Sequence, residues 1–213
     1  MSEVDGADRL IAAELRAELG DRRIGKEIVV VEEARSTNDL AWAAADRGAP
    51  EGFVVFAERQ TAGRGQYGRR WESAPYQGIA MSVLLRPAIT LRESPRLTAL
   101  LAEVIAATIM ETTGCRATVK PPNDIYIAGR KIAGVLVEGR TTIDGNYLAV
   151  AGIGINVNQT VDDFPEELRE TAGSLAMATG RKIHRCDLAI ALLSRLEVLV
   201  ANACHPERSR GTP

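Results

Sequence analysis

Ile132-Ala-Gly-Val-Leu-Val-Glu-Gly139 and Tyr147-Leu-Ala-Val-Ala-Gly-Ile153 decide the fold class of this chain. Each run is apolar and of strand length, and Asp144-Gly145 lies between them. Asp-Gly is favoured in tight turns that need positive φ at their centre, so between two apolar runs it is a strong hairpin signal. The two runs are therefore expected to pair antiparallel.

Working outward, Arg116–Lys120 reads as a further strand. Ser94-Pro95 reads as an N-cap followed by proline at the first helical position, with the helix running to about Thr113 and ending at Gly114. Leu97, Leu100, Leu101, Val104, Ile105 and Ile109 recur at helical spacing and predict that this helix packs on a sheet. Strands are also expected over Gly78–Arg86, Phe53–Ala57 and Glu27–Glu32. Helices are expected over Ala7–Leu19, over Thr37–Arg47 with Ser36 as N-cap, near Ser174–Thr179 and near Cys186–Val200. Helices interleaved with hairpins predict an α+β fold, a mixed, largely antiparallel sheet with helices packed on it. One domain is expected over residues 1–201. Residues 202–213 are polar and aperiodic and are expected to form a disordered or truncated tail.

Composition narrows the function classes. The hydrophobic share of 46 % supports a sizeable core, and with 4 % aromatics that core must be aliphatic. A net charge of −2 argues against bulk binding of nucleic acid. Three cysteines without a Cys-x-x-Cys spacing give neither a disulfide framework nor a zinc knuckle. No run approaches the roughly 20 apolar residues of a membrane span, and a cytoplasmic setting without membrane contact is expected. His184 and His205 lie near the C-terminal end, so the chemistry is expected to need no imidazole base.

Five segments carry polar residues that a core does not select. The densest is Gly63-Arg-Gly-Gln-Tyr-Gly-Arg-Arg-Trp71. Its glycines let backbone approach an anion, and its arginines offer planar donor forks for phosphate or carboxylate. A basic surface loop has the same composition. Ser36-Thr37-Asn38 is either a helix cap or a helix N-terminus that also holds a ligand. Gln60 can donate and accept at once through its amide. Lys120-Pro-Pro-Asn-Asp124, with Gly129-Arg-Lys-Ile-Ala-Gly134, is either a proline turn with a solvated hairpin tip or a site with Lys131 reaching inward. Gly152-Ile-Gly-Ile-Asn156 is either a bulged strand end or a place where backbone meets a ligand.

Taken in order, these segments resemble the catalytic domain of biotin protein ligases over about residues 25–200. The resemblance implies a class II synthetase-like fold and a two-step reaction. Biotin and MgATP give biotinyl-5′-AMP, and a lysine of a biotin carboxyl carrier protein then accepts the biotinyl group. It implies biotin contacts from Ser36, Thr37, Asn38, Gln60, Arg64, Gly65, Gln66 and Lys131. It implies nucleotide contacts from Arg69, Trp71, Lys120, Asn123 and Asn156. Lys131 would be the main catalytic charge, with Arg64 and Lys120 beside it. Asp124 would serve either Mg²⁺ or the acceptor lysine. A carboxylate is already ionised at neutral pH, so the first step needs charge stabilisation and no general base.

The chain departs from the family pattern in three ways. Gln66 stands where relatives often carry a second arginine, which weakens retention of the adenylate. Pro121 replaces the usual tryptophan, so adenine stacking falls to Trp71 or to aliphatic walls. Neither a winged-helix DNA-binding domain nor the SH3-like C-terminal domain is expected, and with them no repressor activity. A homodimer through sheet edges is compatible with the family. The alternatives are a lipoate or octanoyl ligase or transferase of the same superfamily, or a biotin-binding module impaired in transfer.

Overall fold

Nine strands and five α-helices form among residues 8–72 and 74–204, which the computed structural model describes. In chain order they are α1 (Ala12–Leu19), β1 (Ile28–Ala34), α2 (Thr37–Asp46), β2 (Val54–Gln60), β3 (Gly63–Arg64), β4 (Arg70–Trp71), β5 (Gly78–Leu85), α3 (Ser94–Thr113), β6 (Thr118–Lys120), β7 (Asp124–Ile127), β8 (Arg130–Thr141), β9 (Tyr147–Asn156), α4 (Leu175–Thr179) and α5 (Arg185–Leu199). Seven strands form one sheet in the order β1-β2-β5-β9-β8-β7-β6. Only β1 and β2 pair in parallel. The sheet is thus mixed and largely antiparallel, as the hairpin signals imply.

Both faces of the central strands are covered, and the period-2 alternation of side chains sorts their residues. On β9, Ala149, Ala151 and Ile153 join the large core with Leu97, Leu101 and Ile105 of α3 and Leu188, Leu192 and Leu196 of α5. Leu148 and Val150 point the other way, against Ala41, Ala44 and Ala45 of α2. Alanines let α2 lie close to the sheet, where it packs on Phe53, Val55 and Leu84.

Beyond Val150 the α2 face of β9 changes character, to Gly152, Gly154 and Asn156. Register aligns Ala57 of β2, Ala80 of β5, Gly154 of β9, Gly134 of β8 and Asp124 of β7 in one row across the sheet. The small residues of this row leave a depression beside the N-terminal end of α2, into which Gly134 and Gly154 open. That depression is the floor of the site.

A buried ion pair ties the opposite side together. Arg185, at the start of α5, is 0 % exposed. Its NH1 donates to Glu58 Oε2 at 2.6 Å and to Gly78 O at 3.0 Å, and its NH2 donates to Asp8 O. Leu10 N donates to Glu58 Oε1 at 3.0 Å, and Asn158 Nδ2 donates to Asp8 Oδ2 at 3.2 Å.

This cluster explains why the first helix is shorter than its periodicity implies. Ala7 lies outside the described residues, and α1 begins only at Ala12, after extended Ile11. Asp8 and Leu10 are held off the helix by Arg185 and Glu58. The other boundaries shift less. β7 was not anticipated, because four residues between a proline turn and Gly129 carry no readable period. β9 runs on to Asn156, which puts that asparagine in the strand and not in a loop. Ser94 is the first residue of α3 and Glu93 its N-cap, preceded by a Thr90–Glu93 capping box. Val200–Cys204 form a π-helical turn after α5, and residues 205–213, with His205 and most of the expected tail, lie outside the described residues. No helix among the described residues is long and apolar enough to cross a membrane.

Candidate active site

A cavity of about 500 Å³ opens on the α2 face, over the row of small residues. Ser36, Thr37, Asn38, Gln60, Arg64, Gly65, Gln66, Arg69, Trp71, Lys120, Asn123, Asp124, Lys131 and Asn156 all line it. Every residue to which the resemblance gives a contact therefore lies on one space. Their side chains are differently engaged, and that decides what each can offer a ligand.

The deep end is a hydrogen-bonded cluster at the N-terminus of α2. Gln60 Oε1 accepts from Thr37 N at 2.8 Å. A backbone N–H can only donate, so it fixes the orientation of the Gln60 amide. Gln60 thus presents its NH₂ group and not, as expected, both functions. Ser82 Oγ lies 2.6 Å from Asn38 Oδ1 and 2.7 Å from Thr37 Oγ1. Ser82 was not anticipated; its small side chain inside an apolar strand gave no signal. Ser36 stands at the N-cap position but makes no side-chain capping bond, so the plain helix-cap reading does not hold for it. Asn38 is braced at both ends, since its Nδ2 donates to Glu138 Oε2 at 3.1 Å.

Glycines on β9 make this arrangement possible, though not by admitting a ligand to the backbone. A Cβ at Gly152 would overlap the Asn38 amide, and one at Gly154 would overlap the Trp71 indole. The glycines are seats for two side chains of the site.

The arginine segment is a small hairpin and not an open loop. β3 and β4 pair Gly63 with Trp71 and Arg64 with Arg70. Tyr67 at its tip has a φ of 58° and is 88 % exposed. Arg64 NH2 donates to Asp39 Oδ1 at 2.8 Å and to Glu138 Oε1 at 3.2 Å. The Asp39 hydrogen bond and the charge of Glu138 raise the Arg64 pKa above its ordinary value. Arg70 Nε pairs with Glu72 at 3.1 Å. Among the described residues, Arg69 and Lys120 make no ion pair, and both are exposed on the rim.

Lys131 Nζ lies 2.6 Å from Asp124 Oδ1 and 5.8 Å from the centre of the Trp71 ring. Its amine reaches inward, and its backbone is bridged to a strap over residues 164–173. Lys131 N donates to Thr171 O at 2.8 Å, and Gly173 N donates to Lys131 O at 3.0 Å. Phe164, Leu168, Thr171 and Ala172 of that strap close one wall and had no sequence signal. Asn123 and Asn156 line the cavity with their NH₂ groups committed to Val135 O and Gly173 O. Tyr67 and Tyr126 also line it, adding aromatic surface beyond Trp71 where Pro121 removes a ring.

The donor set does not fit a resident divalent cation. Asp124 is already paired with Lys131, and among the described residues no three acidic, histidine or cysteine side chains converge.

The comparisons with known proteins identify the family. The model of the biotin/lipoate A/B protein ligase family matches residues 30–158, which hold α2, the arginine hairpin, Lys131 and Asn156. The chain belongs to that family. It is 42 % identical over 177 residues to the bifunctional ligase/repressor BirA of Bacillus spizizenii, covering 83 % of this chain and 54 % of that protein. It therefore spans about half the length of that relative. It is 32 % identical over 197 residues to the biotin–[acetyl-CoA-carboxylase] ligase of Mycobacterium tuberculosis, covering 85 % of this chain and 69 % of the other. Among solved structures, the biotin protein ligase of Aquifex aeolicus in complex with biotin and ATP superposes with a TM-score of 0.71 at 30 % identity, covering 84 % of this chain and 72 % of that one. Family membership accounts for the shared fold.

Proposed function

We propose that this domain condenses biotin with ATP to biotinyl-5′-AMP and passes the biotinyl group to a lysine of a biotin carboxyl carrier domain. The observation that carries this reading is the convergence of a neutral, donor-rich end, an inward lysine and two rim cations that make no ion pair among the described residues on one cavity of about 500 Å³. The neutral end, with Thr37, Gln60 and Ser36, suits the uncharged polar head of biotin. Lys131 is the charge nearest the middle and suits the point where carboxylate meets α-phosphate. Arg69 and Lys120 suit the phosphates, with Tyr67, Trp71 and Tyr126 as ring surfaces for adenine.

In the first step a biotin carboxylate oxygen bonds to the α-phosphorus and the bond to pyrophosphate breaks. Two anions must approach, and fixed cations lower that barrier. Mg²⁺ arrives on the ATP phosphates as part of the substrate. In the second step the acceptor amine attacks the acyl carbon, AMP leaves, and the amine loses a proton. Asp124 is the carboxylate beside Lys131 and suits the incoming ammonium.

The test is pyrophosphate release that requires both biotin and ATP, followed by label transfer to a carrier domain. Lys131→Ala is expected to abolish release and leave the fold intact. Release in the absence of biotin, or tighter competition by lipoate than by biotin, would overturn the assignment.

A further inference from the structure

Glu138 lies on the α2 face of β8, opposite Val150, in a row where apolar residues pack under α2. A carboxylate there is costly unless its lone pairs are filled. They are filled from three sides. Asn38 Nδ2 and Trp42 Nε1 each donate to Oε2 at 3.1 Å, and Arg64 NH2 donates to Oε1 at 3.2 Å. Two donors come from α2 and the third from the arginine hairpin. Glu138 is thus where the deep end of the cavity and its covering hairpin meet. Arg64 meets both Glu138 and Asp39 through NH2, which leaves Nε and NH1 for the cavity it lines.

We propose that Glu138 is a positioning residue. It latches the arginine hairpin to α2 through Arg64 and so holds the guanidinium, and the hairpin with it, over the activated acyl group. The inference rests on the biotin-activation reading for its consequence, though not for the latch itself. Asp39 is the second arm, nearer at 2.8 Å but more exposed to solvent, its side chain being 47 % exposed against 30 % for Glu138.

The latch is tested without ligand and its consequence with ligand. Glu138→Gln keeps an acceptor oxygen for Asn38 and Trp42 but removes the charge that holds Arg64. In the unliganded protein, trypsin is expected to cut the hairpin about tenfold faster than in the parent, the scale of one charge-assisted hydrogen bond. Release of pre-formed biotinyl-5′-AMP is expected to rise by about the same factor, with the KM for biotin within about threefold. Arg64→Gln, read as cutting after Arg69 and Arg70 because it removes the tryptic site at residue 64, should reproduce both effects in a protein whose Glu138 is intact. The double variant should add nothing further, as coupled partners do. An unchanged hairpin cutting rate, additive effects in the double variant, or faster cutting with unchanged adenylate release would each overturn the proposal. A parent that forms no adenylate overturns the functional reading, and the ligand-free cutting rates then still decide whether Glu138 holds Arg64.

Discussion

Arg185 and Arg64 each sit between two carboxylates, and water separates their fates. Arg185 lies between Glu58 and Asp8 at 0 % side-chain exposure, while Arg64 lies between Asp39 and Glu138 at 39 %. The partners of Arg185 are also held by backbone, because Glu58 accepts from Leu10 N and Arg185 N donates to Asp8 Oδ1 at 2.8 Å. Removing one partner there strands a buried charge. The Arg64 cluster borders the cavity, and its carboxylates stay partly exposed to water. The same chemistry is a staple when dry and an exchangeable clasp when wet.

The largest expected effect tests the staple. Glu58→Ala should lose about 3–5 kcal/mol in denaturant unfolding, because it removes the fully buried partner of Arg185 and leaves the guanidinium with the partly exposed Asp8 alone. A loss below about 1 kcal/mol would erase the distinction between the two clusters. Next comes Gly154→Ala, which probes how firmly the wet side is packed. The added methyl overlaps Trp71, and the hairpin is expected to yield, at about 1 kcal/mol, the lower end of overpacking costs. A changed tryptophan emission with a cooperative unfolding curve would show this. Arg64→Ala should cost less than about 1 kcal/mol while shortening adenylate retention, the mark of a clasp and not a staple. The smallest effect is that of salt. At about 1 M, where the Debye length is about 3 Å, tryptic cutting of the hairpin should quicken and global unfolding should barely respond. Equal sensitivity in both readouts would mean that the two clusters are screened alike.

The clasp and the staple also differ in how legible they were. Each segment of the site announced itself locally, through Ser36-Thr37-Asn38 at a helix start, glycines among arginines, and a lysine before an apolar strand. Local signals were sufficient for those segments, since a turn or strand end places its neighbours, though not for Ser82 or the strap over residues 164–173. The β8–β9 hairpin was readable for the same reason. Glu138 was not, because one acid in an alternating strand is indistinguishable from a solvated position until its partners are known. Those partners lie 74 and 100 residues away in sequence, and Arg185 lies 127 from Glu58. Polar pairs at such separations leave no periodic trace. The commitments of the Gln60 and Asn38 amides are legible only from geometry for the same reason.

The floor of the cavity is a single layer of peptide with the Asn38 amide and the Trp71 indole seated on it. On β9, Gly152 and Gly154 face the cavity side, while Ala151, Ile153 and Ile155, which alternate with them, belong to the large core under α3 and α5. Pocket and core are two sides of one thin partition. A methyl group gained or lost beneath Ile153 would be felt above as a raised or lowered floor. Ligand selectivity in this chain can therefore drift through aliphatic substitutions that touch no ligand at all.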